Sequence, residues 1–174
     1  YGPFYRNPLA DIVAGFDYDC VCRDEGPEFF VCATRVRNGK LRVFTGDDIC
    51  KDAILASACL PTIYQAVEKF DSETGQVEAF WDGGYTGNPA LFPMFDPAFP
   101  SDIVIININP LERHTLPKTP QQIQNRINEI GFNTSLLREL RAIDFVQRLL
   151  DDGKMERGEM ARVFVHMVAD DDLM

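Results

Sequence analysis

The sequence predicts an α/β fold, and three of its patterns indicate this class. The first is a hairpin signal: Glu28 to Arg37 is rich in Phe and Val, and Leu41 to Phe44 returns after the dipeptide Asn38-Gly39. That dipeptide is typical of a type I′ turn. The second is the β-branched run Ile103 to Ile108, which predicts a strand buried on both faces. The third is a long amphipathic helical region that begins near Pro120.

A short helix and a second hairpin are predicted between these segments. The helix runs from about Ile49 to Ala58, and either Asp47 or Asp48 is expected to cap its N-terminus. The second hairpin has Asp71 to Gly75 as its polar loop. Its two strands are Gln65 to Lys69 and Gln76 to Trp81.

The long helical region follows the proline-containing break Pro117 to Pro120. Apolar residues recur on one face at spacings of four and three, and charged residues occupy the opposite face. Gly131 to Asn133 is expected to kink the helix or to divide it, and a last strand is predicted from Arg162 to Val168. Three roles are possible for this helix: it packs against the sheet, it forms a lid, or it forms a dimer face. The apolar positions are Ile123, Ile127, Ile130, Leu136, Leu140, Ile143, Val146 and Leu150.

Length, composition and charge limit the classes of function. With 174 residues, 45% of them hydrophobic, the chain is able to bury the core of one domain or most of one. The net charge of −10 and the isoelectric point near 4.6 argue against nucleic-acid binding, because phosphates require a basic face. They also disfavour electrostatic adhesion to anionic lipid. No apolar run is long enough to span a bilayer.

The cysteines and acidic runs do not indicate a metal site. There are five cysteines, an odd number with no C-x-x-C pair, which favours reduced thiols and a cytoplasmic protein. Cys20-Val21-Cys22 is too closely spaced for a zinc knuckle, and no histidine lies near it. Acidic pairs such as Asp47-Asp48 lack the spacing of a calcium loop and are interpreted as caps and turns. The cysteines are Cys20, Cys22, Cys32, Cys50 and Cys59.

The segment Trp81-Asp82-Gly83-Gly84-Tyr85-Thr86-Gly87-Asn88-Pro89 is the most informative in the chain. It places Asp82 between an aromatic-rich strand and two consecutive glycines. Gly83 and Gly84 are expected to adopt positive φ angles and to let another segment or a ligand come close. Two interpretations stay open on these residues alone. Asp82 is either a carboxylate held in a fixed orientation for chemistry or a turn residue that binds its own backbone.

Two motifs together resemble the patatin-like acyl hydrolases. One is the apolar run Leu55-Ala56-Ser57-Ala58-Cys59-Leu60-Pro61-Thr62-Ile63-Tyr64, and the other is the segment Trp81 to Pro89. The resemblance extends from Asn7-Pro8-Leu9 to near Leu150 and is closest to a bacterial branch with a helical segment after the catalytic core. It implies a three-layer α/β hydrolase core and a catalytic Ser–Asp dyad without a cofactor.

The resemblance assigns roles to residues of the two motifs. Asp82 in its Asp-Gly-Gly sequence would be the catalytic partner of a serine, and the substrate would be a phospholipid or another ester. For each of the other motif residues, ordinary packing stays open as the alternative role. The residues expected to bind the substrate or to shape its site are Pro61, Ile63, Tyr64, Gly83, Gly84 and Asn88.

The chain departs from the family in having no G-x-S-x-G elbow and no glycine-rich oxyanion loop. Its serines are Ser57, Ser72, Ser101 and Ser135, and the local candidate, Ser57, lies at a predicted helix end. In patatin-like proteins both missing parts precede the region matched here, and this chain begins at Tyr1. The expectation is therefore the C-terminal part of a hydrolase, inactive alone, whose serine lies in an upstream segment.

Residues 1–116 are then expected to belong to the catalytic domain, and residues 117–174 to a helical extension and final strand packed on it. The alternative is a non-catalytic lipid-binding or interaction module with the same shape. A homo-oligomer is a further expectation, because the amphipathic helix offers a dimer face.

A Ser–Asp dyad places a demand on the pKa of Asp82. Neither His114 nor His166 lies where a catalytic base is expected, so the aspartate must accept the serine proton itself. A free aspartate has a pKa near 3.9 and is a poor base. Burial beside Phe80, Trp81 and Tyr85 is expected to raise that pKa.

Overall fold

The computed structural model describes residues 7–21, 26–154 and 162–169 and has an α/β fold with a long C-terminal helix. The chain forms two compact units, Tyr1–Pro89 and Ala90–Met174. The assignment of residues 117–174 to an extension of a catalytic domain stays a prediction. The helices are α1 (Leu9–Val13), α2 (Tyr18–Val21), α3 (Lys51–Ser57) and α4 (Pro120–Asp151). The strands are β1 (Val31–Arg35), β2 (Leu41–Phe44), β3 (Val67–Asp71), β4 (Gln76–Asp82), β5 (Asp102–Asn107) and β6 (Phe164–Ala169).

The first unit contains an antiparallel sheet with the strand order β2-β1-β4-β3. Both predicted hairpins are confirmed, since β1 pairs with β2 and β3 pairs with β4. The predicted type I′ turn is wrong. That turn needs positive φ at both central residues, whereas Gly39 has φ +67° and no described non-glycine residue has a positive φ. The Arg35 amide instead bonds the Lys40 carbonyl across a four-residue loop.

Helix α3 covers one face of this sheet. Phe44 and Phe80 are fully buried and meet edge to face, with ring centroids 5.3 Å apart. Ala53 and Ala56 of α3 pack on the same cluster. Full burial of a Phe side chain stabilises a fold by about 1.5–3 kcal/mol. The cluster of Phe44, Phe80, Ala53 and Ala56 therefore holds the central strand β4 against the helix. Asp82 is the last residue of β4.

The predicted N-cap of α3 is wrong. The cap position is Cys50, whose side chain makes no capping bond, and Asp47 and Asp48 form a 3₁₀ turn at Gly46–Asp48. The Asp48 carboxylate accepts hydrogen bonds from Arg42 and from the Ser72 hydroxyl. Asp48 thus binds Arg42 of β2 and does not cap the N-terminus of α3.

Asp71 lies at the end of β3 in a buried ion network rather than in the predicted polar loop. Arg42 Nε donates to its Oδ1 at 2.8 Å, and Arg35 Nε donates to its Oδ2 at 3.2 Å. Burial alone would raise the pKa of Asp71, but the hydrogen bonds from Arg42 and Arg35 outweigh it and lower that pKa. Glu73 adds a further carboxylate to the network through Arg35.

In the second unit, β5 and β6 form a parallel two-stranded sheet, which confirms both predicted strands. Burial alternates along β5, so Ile103 and Ile105 are buried while Val104 and Ile106 are 64% and 75% exposed. The prediction that this strand is buried on both faces is wrong within the part of the chain that the structure describes. A run of β-branched residues specifies a strand but does not specify what covers each face.

Helix α4 is one continuous helix of 32 residues, so the predicted division near Gly131 is wrong. A capping box between Thr119 and Gln122 begins it. Leu136 packs on β5 in the apolar core, as the packing role predicts. Three positions of the predicted apolar face, Ile123, Ile127 and Ile130, are exposed.

The polar face of the first half of α4 is turned inward. Glu129 and Asn133 are buried there, and Glu129 accepts hydrogen bonds from Arg113 and Arg126. The Asn133 amide donates to the Pro110 carbonyl at 3.0 Å. These bonds tie the loop after β5 to the helix.

No helix in the described ranges is both long enough and apolar enough to cross a membrane. The described cysteines form no disulfide, and Cys22 lies outside the described residues.

Candidate active site

Asp82 is the last residue of β4 and stands opposite Ala33 of β1. Its backbone N–H donates to the Cys59 carbonyl at 2.8 Å, which joins the segment after α3 to the end of the strand. Its side-chain Oδ1 accepts the Gly84 N–H at 2.8 Å and caps the 3₁₀ turn Gly83–Tyr85. Asp82 therefore does bind its own backbone, as the turn interpretation predicts. That bond also fixes the orientation of the carboxylate.

Gly83 is required by a close approach of two chain segments. A Cβ added at this position would lie 2.2 Å from the Cys32 carbonyl oxygen, far inside any real contact distance. The expected close approach is thus confirmed, but the expected positive φ angles are wrong, because neither Gly83 nor Gly84 has one. The turn crosses β1 in direct contact, and only glycine fits at its first residue.

Two threonine hydroxyls fasten the same turn to β1. Thr34 Oγ1 donates to the Asp82 carbonyl oxygen at 2.8 Å, and the hydroxyls of Thr34 and Thr86 are 2.8 Å apart. A hydroxyl has one proton, so Thr86 donates to Thr34 when Thr34 donates to Asp82. The sequence motif contained Thr86, but no local pattern pointed to Thr34, which lies 48 residues before Asp82.

The Asp82 carboxyl group is half-buried, and burial raises its pKa above the ordinary value. The Gly84 N–H, which favours the charged form, opposes this shift without cancelling it. Oδ2 accepts no hydrogen bond from the described residues, and none of their cationic side chains pairs with Asp82. The group is consequently held by one oxygen, while the other is left for a further donor.

Cys59 and Tyr85 lie within the electrostatic reach of Asp82. Burial, with a smaller contribution from the Asp82 charge, raises the pKa of the Tyr85 hydroxyl and that of the Cys59 thiol. Cys59 is fully buried, and its thiol donates to the Gln65 carbonyl at 3.0 Å. A protonated, buried thiol is a poor nucleophile.

The other predicted site residues lie in two adjoining loops. The amides of Ile63 and Tyr64 bond the Leu60 carbonyl in a turn that follows Cys59. Ile63 is exposed, and Pro61 and Tyr64 are half-buried. Asn88 is half-buried and precedes Pro89 in a cis peptide bond. The Cys59–Asp82 backbone bond connects the start of the first loop to Asp82.

Ser57 and the two histidines make no hydrogen bond to Asp82 among the described residues. Ser57 is the last residue of α3 rather than part of a strand–helix elbow. His166 lies on β6 and is 2.9 Å from Asp102, and His114 is exposed in a loop of the second unit. Neither histidine forms a hydrogen bond to Asp82 in the described structure.

Among the described residues, no cluster of three or more His, Cys, Asp or Glu side chains has the arrangement of a metal site. No model of a known protein family matches the sequence, and a search of curated proteins finds no match.

Proposed function

We propose that the protein is a lipid acyl hydrolase, a phospholipase or carboxylesterase, in which Asp82 is the base of a Ser–Asp dyad. The observation that carries the proposal is the state of one carboxyl group. Asp82 is half-buried, burial raises its pKa, Oδ1 is fixed by Gly84, and Oδ2 has no partner in the described structure. An aspartate that only shapes a turn needs the bond from the backbone N–H, but it does not need burial and a raised pKa.

The chemistry uses the two carboxylate oxygens differently. Oδ2 takes the proton from a serine hydroxyl as the serine oxygen attacks the ester carbonyl, and the proton later passes to the leaving alkoxide. Oδ1 stays bonded to Gly84 and keeps the carboxylate aligned. A raised pKa makes Asp82 a stronger base than a free aspartate, which suits it to this exchange.

In this proposal the serine and the oxyanion donors come from an upstream segment, and the complete core is patatin-like with three layers. The protein acts in the cytoplasm, with or without peripheral contact with a membrane. No cofactor is needed, because proton transfer and nucleophilic attack use side chains alone. Pro61, Ile63 and Tyr64 would border the acyl chain, since their turn is joined to Asp82 through Cys59.

The test compares Asp82→Asn with wild type in the full-length protein, using a short-chain p-nitrophenyl ester in excess. The amide retains the size of the side chain and the bond from Gly84 but loses the proton acceptor. Turnover is expected to fall by a factor on the order of 10²–10⁴. Circular dichroism and urea unfolding establish that the variant is folded.

Asp96→Asn is the matched control, because Asp96 Oδ1 also accepts a backbone N–H two residues ahead, from Ala98 at 2.9 Å, but at an exposed position. Its turnover is expected to equal that of wild type. Normal turnover by Asp82→Asn would contradict the proposal. Binding of lipid by wild type without any turnover would favour the non-catalytic lipid-binding module instead.

A further inference from the structure

We propose that Thr34 is a positioning residue whose hydroxyl holds the Asp82 carboxylate in its reactive orientation. This inference rests on the proposed function. Thr34 does not touch the carboxylate itself. Its Oγ1 donates to the backbone carbonyl of Asp82 at 2.8 Å and lies 2.8 Å from the Thr86 hydroxyl.

The bond acts on the peptide unit that links Asp82 to Gly83. That unit contains the Asp82 carbonyl, so fixing the carbonyl fixes the direction in which the chain enters the 3₁₀ turn. The turn presents the Gly84 N–H to Asp82 Oδ1 at 2.8 Å. Rotation of the peptide unit would move Gly84 away from this oxygen, and the carboxylate would lose its only described hydrogen bond.

Packing alone does not account for a threonine at position 34. The residue is only 5% exposed and lies in a strand, between Ala33 and the buried Arg35. Valine has nearly the same shape and favours strands equally well. Burial of a hydroxyl is unfavourable unless it is hydrogen-bonded, and both described bonds of this hydroxyl lead to the turn that carries Asp82.

Cys32 and Thr34, both on β1, restrain the turn. Cys32 contacts Gly83 so closely that a methyl group has no room, and Thr34 holds the residues on either side of the turn, Asp82 and Thr86. The contact at Gly83 limits how far the turn is able to move towards β1. The Thr34 hydroxyl supplies the opposite restraint, because it prevents the turn from moving away.

The experiment uses Thr34→Val and Thr34→Ser in the full-length protein. In Thr34→Val we expect kcat to fall roughly 10²-fold with KM unchanged, because a misplaced base slows the chemical step without affecting ester binding. Thr34→Ser restores the hydroxyl and is expected to restore kcat. Thr134→Val is the control, since it removes a hydroxyl that donates to the Ile130 carbonyl at 2.6 Å in α4.

A second readout does not depend on turnover. The pKa of Asp82, followed through its carboxyl carbon by NMR, is expected to move down towards the ordinary value in Thr34→Val, because a released carboxylate reaches water. Wild-type kcat in Thr34→Val, or a loss of kcat that Thr34→Ser fails to restore, would overturn the inference. Full activity of Asp82→Asn would refute the proposed function, whatever the result for Thr34. An unchanged Asp82 pKa in Thr34→Val would refute the positioning role of Thr34.

Discussion

Asp82 has the structural features of two roles that local sequence presents as alternatives. A turn-forming aspartate accepts a nearby backbone N–H, and a catalytic aspartate keeps an oxygen for the proton it receives. Here Oδ1 accepts from Gly84, and Oδ2 has no partner in the described structure. The turn bond is therefore compatible with the proposed catalysis, since it restricts the rotation of the carboxylate.

Gly83→Ala tests how tightly the turn is held. The new methyl group would lie 2.2 Å from a backbone oxygen of Cys32, so one strand or the turn must shift. A loss of at least about 1–3 kcal/mol of unfolding free energy is expected, as for other overpacked sites. Urea unfolding measures it.

Gly131→Ala is the comparison for Gly83→Ala. Nothing lies within 4 Å of an added Cβ at position 131, inside α4. This change is expected to stabilise the helix by about 0.5–1 kcal/mol. Equal effects of the two alanines would show that the contact at Gly83 is unimportant.

Local sequence predicted a buried carboxylate at the end of a strand, but it did not predict the groups that hold it. Cys59, 23 residues before Asp82, reaches it through the turn after α3. Thr34, 48 residues before Asp82, reaches it because β1 pairs with β4. The same limitation placed Asp71 in a polar loop. Its partners Arg35 and Arg42 come from two other strands, and only pairing of those strands reveals that its charge is compensated.

At the scale of elements, periodicity predicted where α4 lies but not which of its faces is covered along its whole length. A helix of 32 residues is about 48 Å long, whereas a six-residue strand spans about 20 Å. The sheet is too short to cover both halves of the helix. The second half packs on β5 through Leu136, and the first half packs on a loop through Glu129 and Asn133. The isoleucines there are consequently exposed.

Glu139 of α4 is expected to make stability depend on pH. It accepts the Leu91 N–H at 2.7 Å, and burial raises its pKa despite the bonds from the Leu91 and Phe92 amides. The folded state therefore binds the proton more tightly than the unfolded state does. Its contribution to stability is complete below the unfolded pKa and is lost as the pH rises through the folded pKa.

Glu139→Gln should remove this pH dependence. The unfolding free energy of wild type minus that of the variant is expected to fall as pH rises through the window between the two pKa values of Glu139. Urea unfolding from pH 4 to pH 8 measures the difference. Glu112→Gln, at an exposed position, controls for the loss of one charge. A difference that is constant over this range would refute the assignment.

For the molecule as a whole, charge and apolar surface act in opposite directions. The net charge of −10 keeps copies apart, while one face of the β5–β6 sheet exposes apolar side chains. Contiguous exposed apolar surface tends to drive association. The sequence predicted that the β-branched run at Ile103 to Ile108 is buried on both faces, whereas one face is exposed among the described residues. The exposed side chains are Val104, Ile106, Phe164 and Val168.

The double variant Val104→Thr/Ile106→Thr is expected to reduce the fluorescence of a bound hydrophobic dye. Threonine keeps the preference for a strand but removes apolar area from the exposed face. Unfolding free energy is expected to change by about 0.5 kcal/mol or less, because both residues are on the surface. Leu116→Thr, also exposed but in a loop, should leave the fluorescence unchanged. Undiminished dye binding in the double variant would show that the dye binds a surface other than the exposed face of the β5–β6 sheet.

The burial of Cys59 makes this thiol an internal reporter of motion at the candidate site. An alkylating reagent reaches it only when the chain around Leu60 to Gln65 opens, because the side chain is fully buried and bonded to Gln65. The Cys59 carbonyl is also the acceptor for the Asp82 N–H, so the same opening withdraws a support of the carboxylate. The rate of Cys59 alkylation, relative to that of the exposed Cys20, therefore measures how often Asp82 is released from its place.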